Sequence, residues 1–156
     1  MTVALDYHGA STRIPGLSGR PRPRAGTHLR TATIDVENLR LRTFIGFNPE
    51  EREKQQDVVI NVTIRHRLNP RVATDAVDAA LDYKAITKRI IRHVEAGRFL
   101  LLEKLTGDVL DICCADPAVE YARVRIDKPH ALRFADSVSV TLEYDASDRI
   151  TQESTS

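Results

Sequence analysis

The chain has 156 residues, which suffices for one domain of ordinary size and is too short for two. Lys and Arg number 23 against 22 Asp and Glu, but the first 30 residues hold five arginines and one aspartate, so the remainder is mildly acidic. This balance excludes the basic face that nucleic-acid binding requires, and no apolar run is long enough for a membrane span or a secretory signal. We therefore expect a soluble, cytoplasmic protein that binds neither nucleic acid nor membrane.

Both ends of the chain have the composition of flexible segments. Residues 1–31 contain four of the seven glycines and three of the seven prolines and show no apolar period, which predicts a disordered extension. Residues 146–156 are polar and are predicted to form a second flexible tail. The folded domain is therefore expected to occupy residues 32–145.

The first half of this domain has the alternation of apolar and polar residues that is typical of strands. Residues 32–44 form the first predicted strand, with an irregularity near Glu37 and Asn38, and residues 58–68 form the second. The segment 46–56 between them is polar and contains Pro49, so we expect a loop. The two strands would then pair as a long-looped antiparallel hairpin.

Two helices follow. Asp82 is a candidate N-cap, and Ile86, Ile90 and Val94 form an apolar stripe that predicts a helix from 83 to 96, ended by Gly97 in a left-handed conformation. The same spacing recurs over 101–113, and Pro117 ends this second predicted helical segment. These helices are expected to lie antiparallel across a short link.

Alternation returns in residues 119–126 and 134–144, so the order is ββααββ. This order predicts an α+β fold with an antiparallel sheet and both helices on one of its faces. Val59, Val119 and Tyr121 would leave apolar side chains on the other face, and the sheet would have two free edges. Oligomerisation could cover both the face and the edges, although an antiparallel sheet can also present one face to water.

A few side chains could carry chemistry, and each also has an ordinary structural explanation. Lys128 and His130 lie on a Pro-stiffened connection over 126–133, where functional residues and cationic surface residues are both common. Glu103 lies near a helix N-terminus, where capping and solvation explain a carboxylate. Tyr83 begins the first helix, where packing is the default role, and Glu51 belongs to a charged run typical of a solvated surface.

Several other kinds of site are excluded by the residue pattern. The five histidines are scattered without ligand spacing, so no metal site is expected. No phosphate-binding glycine loop or nucleophile motif is present. Cys113 and Cys114 are adjacent, which suits neither a structural disulfide nor a complete zinc site, and we interpret them as reduced and buried.

Five blocks of sequence, in order from about residue 32 to residue 144, together resemble the dihydroneopterin aldolase family. They are 39–46 (LRLRTFIG), 57–64 (DVVINVTI), 81–83 (LDY), 98–106 (RFLLLEKLT) and 127–139 (DKPHALRFADSVS). Within the family they are most similar to the branch of dihydroneopterin triphosphate 2′-epimerases. The resemblance implies a tunnelling fold, in which four subunits join their sheets into a barrel and two such rings stack as a homo-octamer.

The resemblance also assigns roles to individual residues. Lys128 matches the catalytic lysine, and Tyr83 matches a catalytic tyrosine contributed by the adjacent subunit. Glu103 matches the carboxylate that anchors the pterin, next to Leu102 in the same substrate-binding block. Glu51 corresponds to a loop glutamate near the hydroxylated side chain of the substrate.

The implied reaction needs no cofactor: Lys128 helps to move the 2′-hydroxyl proton, the C1′–C2′ bond breaks, and re-addition of the aldehyde inverts C2′. Two alternatives remain open. One is a dihydroneopterin aldolase of folate biosynthesis that releases glycolaldehyde and 6-hydroxymethyl-dihydropterin, and the other is a non-catalytic oligomeric pterin-binding protein. An epimerase has to hold a triphosphate tail, for which His130 and Arg133 are candidates, with Arg40 or Arg42 in addition; each could equally be an ordinary surface side chain.

Overall fold

A computed structural model describes residues 2–4 and 30–148 of the chain. The strands are β1 (Thr2–Ala4), β2 (Thr31–Ile45), β3 (Gln56–Arg67), β4 (Arg98–Phe99), β5 (Val119–Pro129) and β6 (Ser137–Asp145). The α-helices are α1 (Pro49–Glu53), α2 (Tyr83–Ala96) and α3 (Leu102–Cys113), and two short 3₁₀ turns, Pro70–Thr74 and Val77–Ala79, precede α2. The predicted ββααββ order is confirmed, with β1, α1, β4 and the 3₁₀ turns as additions.

The main sheet has the order β1-β2-β3-β5-β6 with antiparallel neighbours, and β4 pairs in parallel with the end of β2. Helix α2 packs on β2, and α3 packs on β5 and β6, so both helices cover one face of the sheet. The core lies between these layers. Its largest fully buried aliphatic side chains are Ile45, Ile60, Ile64, Ile90, Leu105 and Ile126.

The predicted irregularity in β2 is a bulge. The pairing passes from Val36 opposite Val62 to Leu39 opposite Ile60, so β2 contains one residue more than β3 over this stretch. Asn38 adopts a φ of 53° at this point, and its peptide N–H donates to the Asn61 side chain. Beyond the bulge, the even-numbered positions of β2 face away from the core and the odd-numbered positions face into it.

The helix signals of the sequence are largely confirmed. The Asp82 side chain accepts from the peptide N–H of Ala85, which caps α2, and Ile90 and Val94 are buried. Gly97, however, has extended backbone dihedrals rather than the predicted left-handed ones. The structure gives another reason for glycine, because a Cβ at this position would overlap the Phe99 ring.

The open face of the sheet differs from the prediction. Val119 belongs to the buried core, since the register between β3 and β5 shifts at Arg65 and reverses which side chains of β5 face inward. Val59 and Tyr121 are half-buried on the open face, and Arg65 stacks over the Tyr121 ring. The other side chains of this face are mostly polar or charged: Asp35, Arg40, Arg42, Asn61, Thr63, Arg123, Arg125 and Asp127.

The predictions for the chain ends are tested only in part. Thr2–Ala4 pair with β2, so the predicted disorder is wrong for these three residues, while residues 5–29 lie outside the described part. Residues 146–148 form a helical turn after β6, and 149–156 again lie outside it. No helix within the described residues is long and apolar enough to cross a membrane.

The adjacent cysteines, Cys113 and Cys114, form no disulfide within the described residues, and Cys114 is half-buried where burial was predicted for both. Cys113 is fully buried, and this burial raises the pKa of its thiol to about 12. The thiol therefore stays protonated at neutral pH and packs as a small apolar group.

Candidate active site

Lys128 and Glu51, which are 77 positions apart in the chain, meet at one end of the sheet. Lys128 Nζ donates to Glu51 Oε2 at 2.7 Å, and the two side chains are only 12% and 24% exposed. Asn48 Nδ2 donates to the other carboxylate oxygen, Glu51 Oε1, at 3.0 Å. A proton-donating amine is thus held against an oriented carboxylate with little access to water.

The chain positions these two residues differently from the prediction. Lys128 is not on a loop but lies in β5, opposite Val138 of β6, because the strand continues through Pro129. Glu51 lies in the short helix α1, within the segment predicted as a loop. A lysine on a paired strand has a fixed backbone, so its amine has a more defined position than a loop would give it.

Gly46 explains how the carboxylate can come so close to the sheet. Its φ is +124°, which a side chain rarely allows, and a Cβ at this position would overlap the Glu51 carboxylate. The peptide N–H of Gly46 donates to the carbonyl of Phe99 at 2.9 Å, which ties the turn to β4. The position of Gly46 between a predicted strand and a charged run is the sequence signal for a turn that requires glycine.

A cleft of about 430 Å³ opens beside Glu51. Phe44, Gly46, Arg98 and Leu100 contribute to its wall. The Arg98 guanidinium stacks over the Phe44 ring at 3.9 Å, and Nη1 donates to the carbonyl of Arg52. Arg98 is a candidate site residue that no sequence pattern indicates, because only the pairing of β4 with β2 brings it to the cleft.

Glu103 and Leu102 begin helix α3, three and two residues after the cleft residue Leu100. Glu103 is exposed in the first turn of the helix, where the helix dipole favours a carboxylate, and Leu102 is half-buried against the core. Within the described residues, no side chain forms an ion pair with Glu103. Its carboxylate therefore has no cation partner in this part of the chain, and neither Glu103 nor Leu102 is among the residues that line the cleft.

Tyr83 lies at the start of α2 and is half-buried against the core. It is absent from the residues that line the cleft beside Glu51. Lys128, Glu103 and Leu102 are likewise absent from this lining. Of the predicted site residues, the structure brings Lys128 and Glu51 into contact.

The candidate phosphate-binding residues separate into two groups. Arg40, Arg42 and His130 line a common groove of about 320 Å³ at the same end of the sheet. Arg133 is absent from its lining, and its guanidinium instead lies over the ring of Phe134, which is 94% exposed. Among the described residues, no cluster of three or more His, Cys, Asp or Glu side chains could hold a metal ion.

Comparison with known proteins finds relatives of this chain. The dihydroneopterin triphosphate 2′-epimerase of Pseudomonas aeruginosa is 55% identical over 111 residues, which cover 71% of this chain and 90% of that protein. The enzyme of the same name from Escherichia coli K12 is 55% identical over 113 residues, covering 72% and 94%. The crystal structure of E. coli dihydroneopterin aldolase in complex with neopterin matches with a TM-score of 0.67 and 27% identity, covering 72% of this chain and 97% of that one.

Residues 34–143 match the FolB family, described as dihydroneopterin aldolase. The matched range runs from β2 to β6 and so contains Lys128, Glu51, Glu103 and Tyr83. The tunnelling fold expected from the sequence is the fold of the solved relatives. This chain belongs to the dihydroneopterin aldolase family.

Proposed function

We propose that this protein is a dihydroneopterin triphosphate 2′-epimerase, which converts 7,8-dihydroneopterin triphosphate into 7,8-dihydromonapterin triphosphate. The observation that carries the proposal is the 55% identity to enzymes of that name, about twice the 27% identity to the aldolase with neopterin. The part-buried contact between Lys128 and Glu51 supports an enzyme over a protein that only binds pterins, because binding alone does not require an amine and a carboxylate in contact.

The substrate itself supplies the electron sink. A 7,8-dihydropterin contains an N5=C6 double bond, so breaking the C1′–C2′ bond sends its electron pair through C6 to N5, which takes a proton from water. The 2′-hydroxyl loses its proton and becomes the carbonyl of an aldehyde. If this aldehyde turns its other face and the enol carbon C1′ attacks it, the C1′–C2′ bond reforms with C2′ inverted and N5 returns its proton. No metal or cofactor is needed for these steps.

Lys128 and Glu51 are proposed to handle the proton of the 2′-hydroxyl. A proton can pass from the Lys128 amine to the Glu51 carboxylate across their hydrogen bond, which leaves the amine free to accept the hydroxyl proton. The same proton returns to the alkoxide after re-addition. Asn48 holds the carboxylate in the orientation that this exchange requires.

Glu103 and Leu102 are proposed to bind the pterin ring. A carboxylate can accept two parallel hydrogen bonds from the 2-amino group and N3–H of the ring, a pairing that suits the planar donor edge. Glu103 is exposed and follows the cleft residue Leu100 by three positions, which is consistent with this role. Leu102 would contact the ring beside it.

Tyr83 is proposed to reach the substrate from an adjacent subunit, in a homo-octamer of two tetrameric rings. Within the described residues, no hydrogen bond joins the Tyr83 side chain to Lys128 or Glu51, as expected if it serves the site of a neighbouring subunit. Large exposed apolar side chains also support assembly, since they gain from burial against another subunit: Phe47, Leu100, Leu101, Leu132 and Phe134. The polar open face of the sheet suits the water-filled interior of a barrel.

Product analysis tests the function directly. We expect the purified protein to convert dihydroneopterin triphosphate into the monapterin isomer, with a slow leak of hydroxymethyl-dihydropterin when the aldehyde escapes. Hydroxymethyl-dihydropterin as the main product would identify an aldolase instead. Binding without any conversion would contradict both enzyme functions, and incorporation of solvent deuterium at C2′ would contradict cleavage of the C1′–C2′ bond.

A further inference from the structure

The groove shared by Arg40, Arg42 and His130 is built by the bulge in β2. Because β2 gains one residue between Val36 and Leu39, the even-numbered positions after the bulge face the open side of the sheet. Arg40 therefore lies opposite Val59 on this face, while the following residue, Leu41, is directed into the core. Without the extra residue the two arginines would be placed on the buried face.

The groove has an excess of hydrogen-bond donors for an anion. Arg40 is exposed and, within the described residues, has neither a carboxylate partner nor a side-chain hydrogen bond. Arg42 has an exposed, loose ion pair with Asp57 at 3.5 Å and donates to the carbonyl of Gln55. Asp57 is the one carboxylate in the lining, against two guanidinium groups and one imidazole.

His130 completes the groove through an unusual backbone conformation. Its φ of 61° turns the chain sharply after β5, and its peptide N–H donates to the carbonyl of Asp136 at 3.0 Å. This turn brings the imidazole to the groove with Pro129, two residues after Lys128. The groove thus lies at the strand end that carries the proposed catalytic amine. It is on the opposite face of the sheet from the Lys128 side chain, since Asp127, next to Lys128, shares the face of Val59 and Arg40.

We infer that this groove binds the triphosphate of the substrate and so determines the preference for phosphorylated over unphosphorylated dihydroneopterin. The inference rests on the proposed function. The triphosphate is attached one carbon beyond C2′, so it would have to extend from the reacting centre near Lys128 around the strand end at Pro129 to reach the groove. There Arg40 and Arg42 offer planar donor pairs that suit phosphate oxygens. Anchoring this chain also holds the aldehyde fragment for re-addition after the bond breaks. Arg133 lies outside the groove and is not part of this site.

The test compares two groove variants, Arg40→Gln and His130→Gln, with the unmutated protein. Arg89→Gln is the matched control, because Arg89 is an exposed residue of α2 that lies outside this groove. The kcat/KM is measured for dihydroneopterin triphosphate and for dihydroneopterin. We expect the ratio of the two values to fall about 10-fold or more in the groove variants, the scale of a lost charge-assisted hydrogen bond, and to stay unchanged in the control. Released hydroxymethyl-dihydropterin should rise as a share of product from the triphosphate.

An unchanged ratio in both groove variants would overturn the inference. An added Arg98→Gln variant tests the cleft beside Glu51. A fall of the ratio in this variant and in neither groove variant would also overturn the inference and would assign the phosphates to that cleft. If the unmutated protein converts neither substrate, the proposed function fails, but the groove can still be tested by titration with inorganic tripolyphosphate. Binding that is weakened by Arg40→Gln and not by Arg89→Gln would support the anion site independently of catalysis, and equal binding by all variants would contradict it.

Discussion

The contact between Lys128 Nζ and Glu51 Oε2 is the most specific feature of the site, and its chemistry can be tested by one substitution. If Lys128 moves a proton, Lys128→Arg should lower kcat by about 10²-fold or more, because a guanidinium keeps its charge but does not release a proton at neutral pH. Pterin affinity should stay within a few fold. Steady-state kinetics and equilibrium titration with a pterin measure the two quantities separately.

Near-normal turnover of Lys128→Arg would contradict the proton-transfer role and leave the lysine only an electrostatic one. Arg92→Lys, an exchange between the same residue types at an exposed position of α2, serves as the control for nonspecific effects. Size-exclusion chromatography with light scattering should give both variants the same mass as the unmutated protein.

Glu103 is expected to act on binding rather than on the chemical step. Glu103→Gln replaces a charged acceptor by an amide whose NH₂ group opposes the donors of the pterin, so we expect the Kd of a pterin ligand to rise by on the order of 10²-fold. Equilibrium titration gives this value. Glu95→Gln, at an exposed position of α2, is the matched control, and an unchanged Kd for Glu103→Gln would remove Glu103 from the site.

The bulge in β2 makes a prediction at the scale of a single element. Asn38 has a φ of 53°, a conformation that asparagine tolerates and β-branched residues avoid. Asn38→Val should therefore lower the free energy of unfolding by about 1–2 kcal/mol, while Asn38→Gly should lower it less. Denaturant unfolding at one fixed protein concentration measures both, and equal effects of the two substitutions would contradict the backbone explanation.

The packing of α2 on α3 includes a polar link that depends on pH. Asp108 of α3 accepts from Lys104 at 2.7 Å and lies 2.8 Å from His93 Nε2 of α2. Burial disfavours the charged carboxylate, but the hydrogen bonds from Lys104 and His93 outweigh this effect and hold the pKa of Asp108 below its usual 3.8. The ionised carboxylate thus stabilises the folded state above that pH.

Asp108→Asn should consequently lower the midpoint of thermal unfolding at pH 7. The difference in unfolding midpoint between this variant and the unmutated protein should shrink as the pH falls below 3.8 and through the lower pKa of Asp108 in the folded state. Over this range Asp108 of the unmutated protein becomes protonated and, like asparagine, carries no charge. Thermal unfolding followed by circular dichroism across this pH range gives the comparison. A difference independent of pH would indicate a packing role and not an electrostatic one. Asp111→Asn, at an exposed position on the same helix, is the control.

The assembly is tested at the scale of the whole molecule by complementation. If Tyr83 and Lys128 of one site come from different subunits, co-expressed Tyr83→Ala and Lys128→Ala chains should form mixed oligomers in which about a quarter of the sites contain both native residues. Each variant alone should be nearly inactive, and the mixed oligomers should regain a corresponding share of the activity. Light scattering on the same samples gives their mass.

Absence of recovery in mixed oligomers would place both residues in the same subunit and contradict the intersubunit site. An active monomer at micromolar concentration would contradict the ring assembly as well. Mixing the two purified proteins without co-expression is the control, because stable oligomers do not exchange subunits and should stay inactive.

The residues alone were enough to predict the order of elements, the buried faces of β2 and β3, and the limits of α2 at Asp82 and Gly97. These features depend on local periodicity and capping, which neighbouring residues define. The resemblance to a known family likewise predicts Lys128, Glu51, Glu103 and Tyr83 as a set, because several matching blocks recur in order. It did not reveal how these residues are arranged in space.

Features that depend on strand register and on contacts between distant segments are visible only in the three-dimensional structure. Which side chains of β5 face inward follows from the register shift at Arg65, and this shift buried Val119 against expectation. The extension of β5 through Pro129 places Lys128 on a strand. The positive φ of Gly46, which has no side chain, leaves room for the Glu51 carboxylate beside Lys128. A one-residue change in pairing reverses an entire face, and periodicity within a single segment contains no information about that pairing.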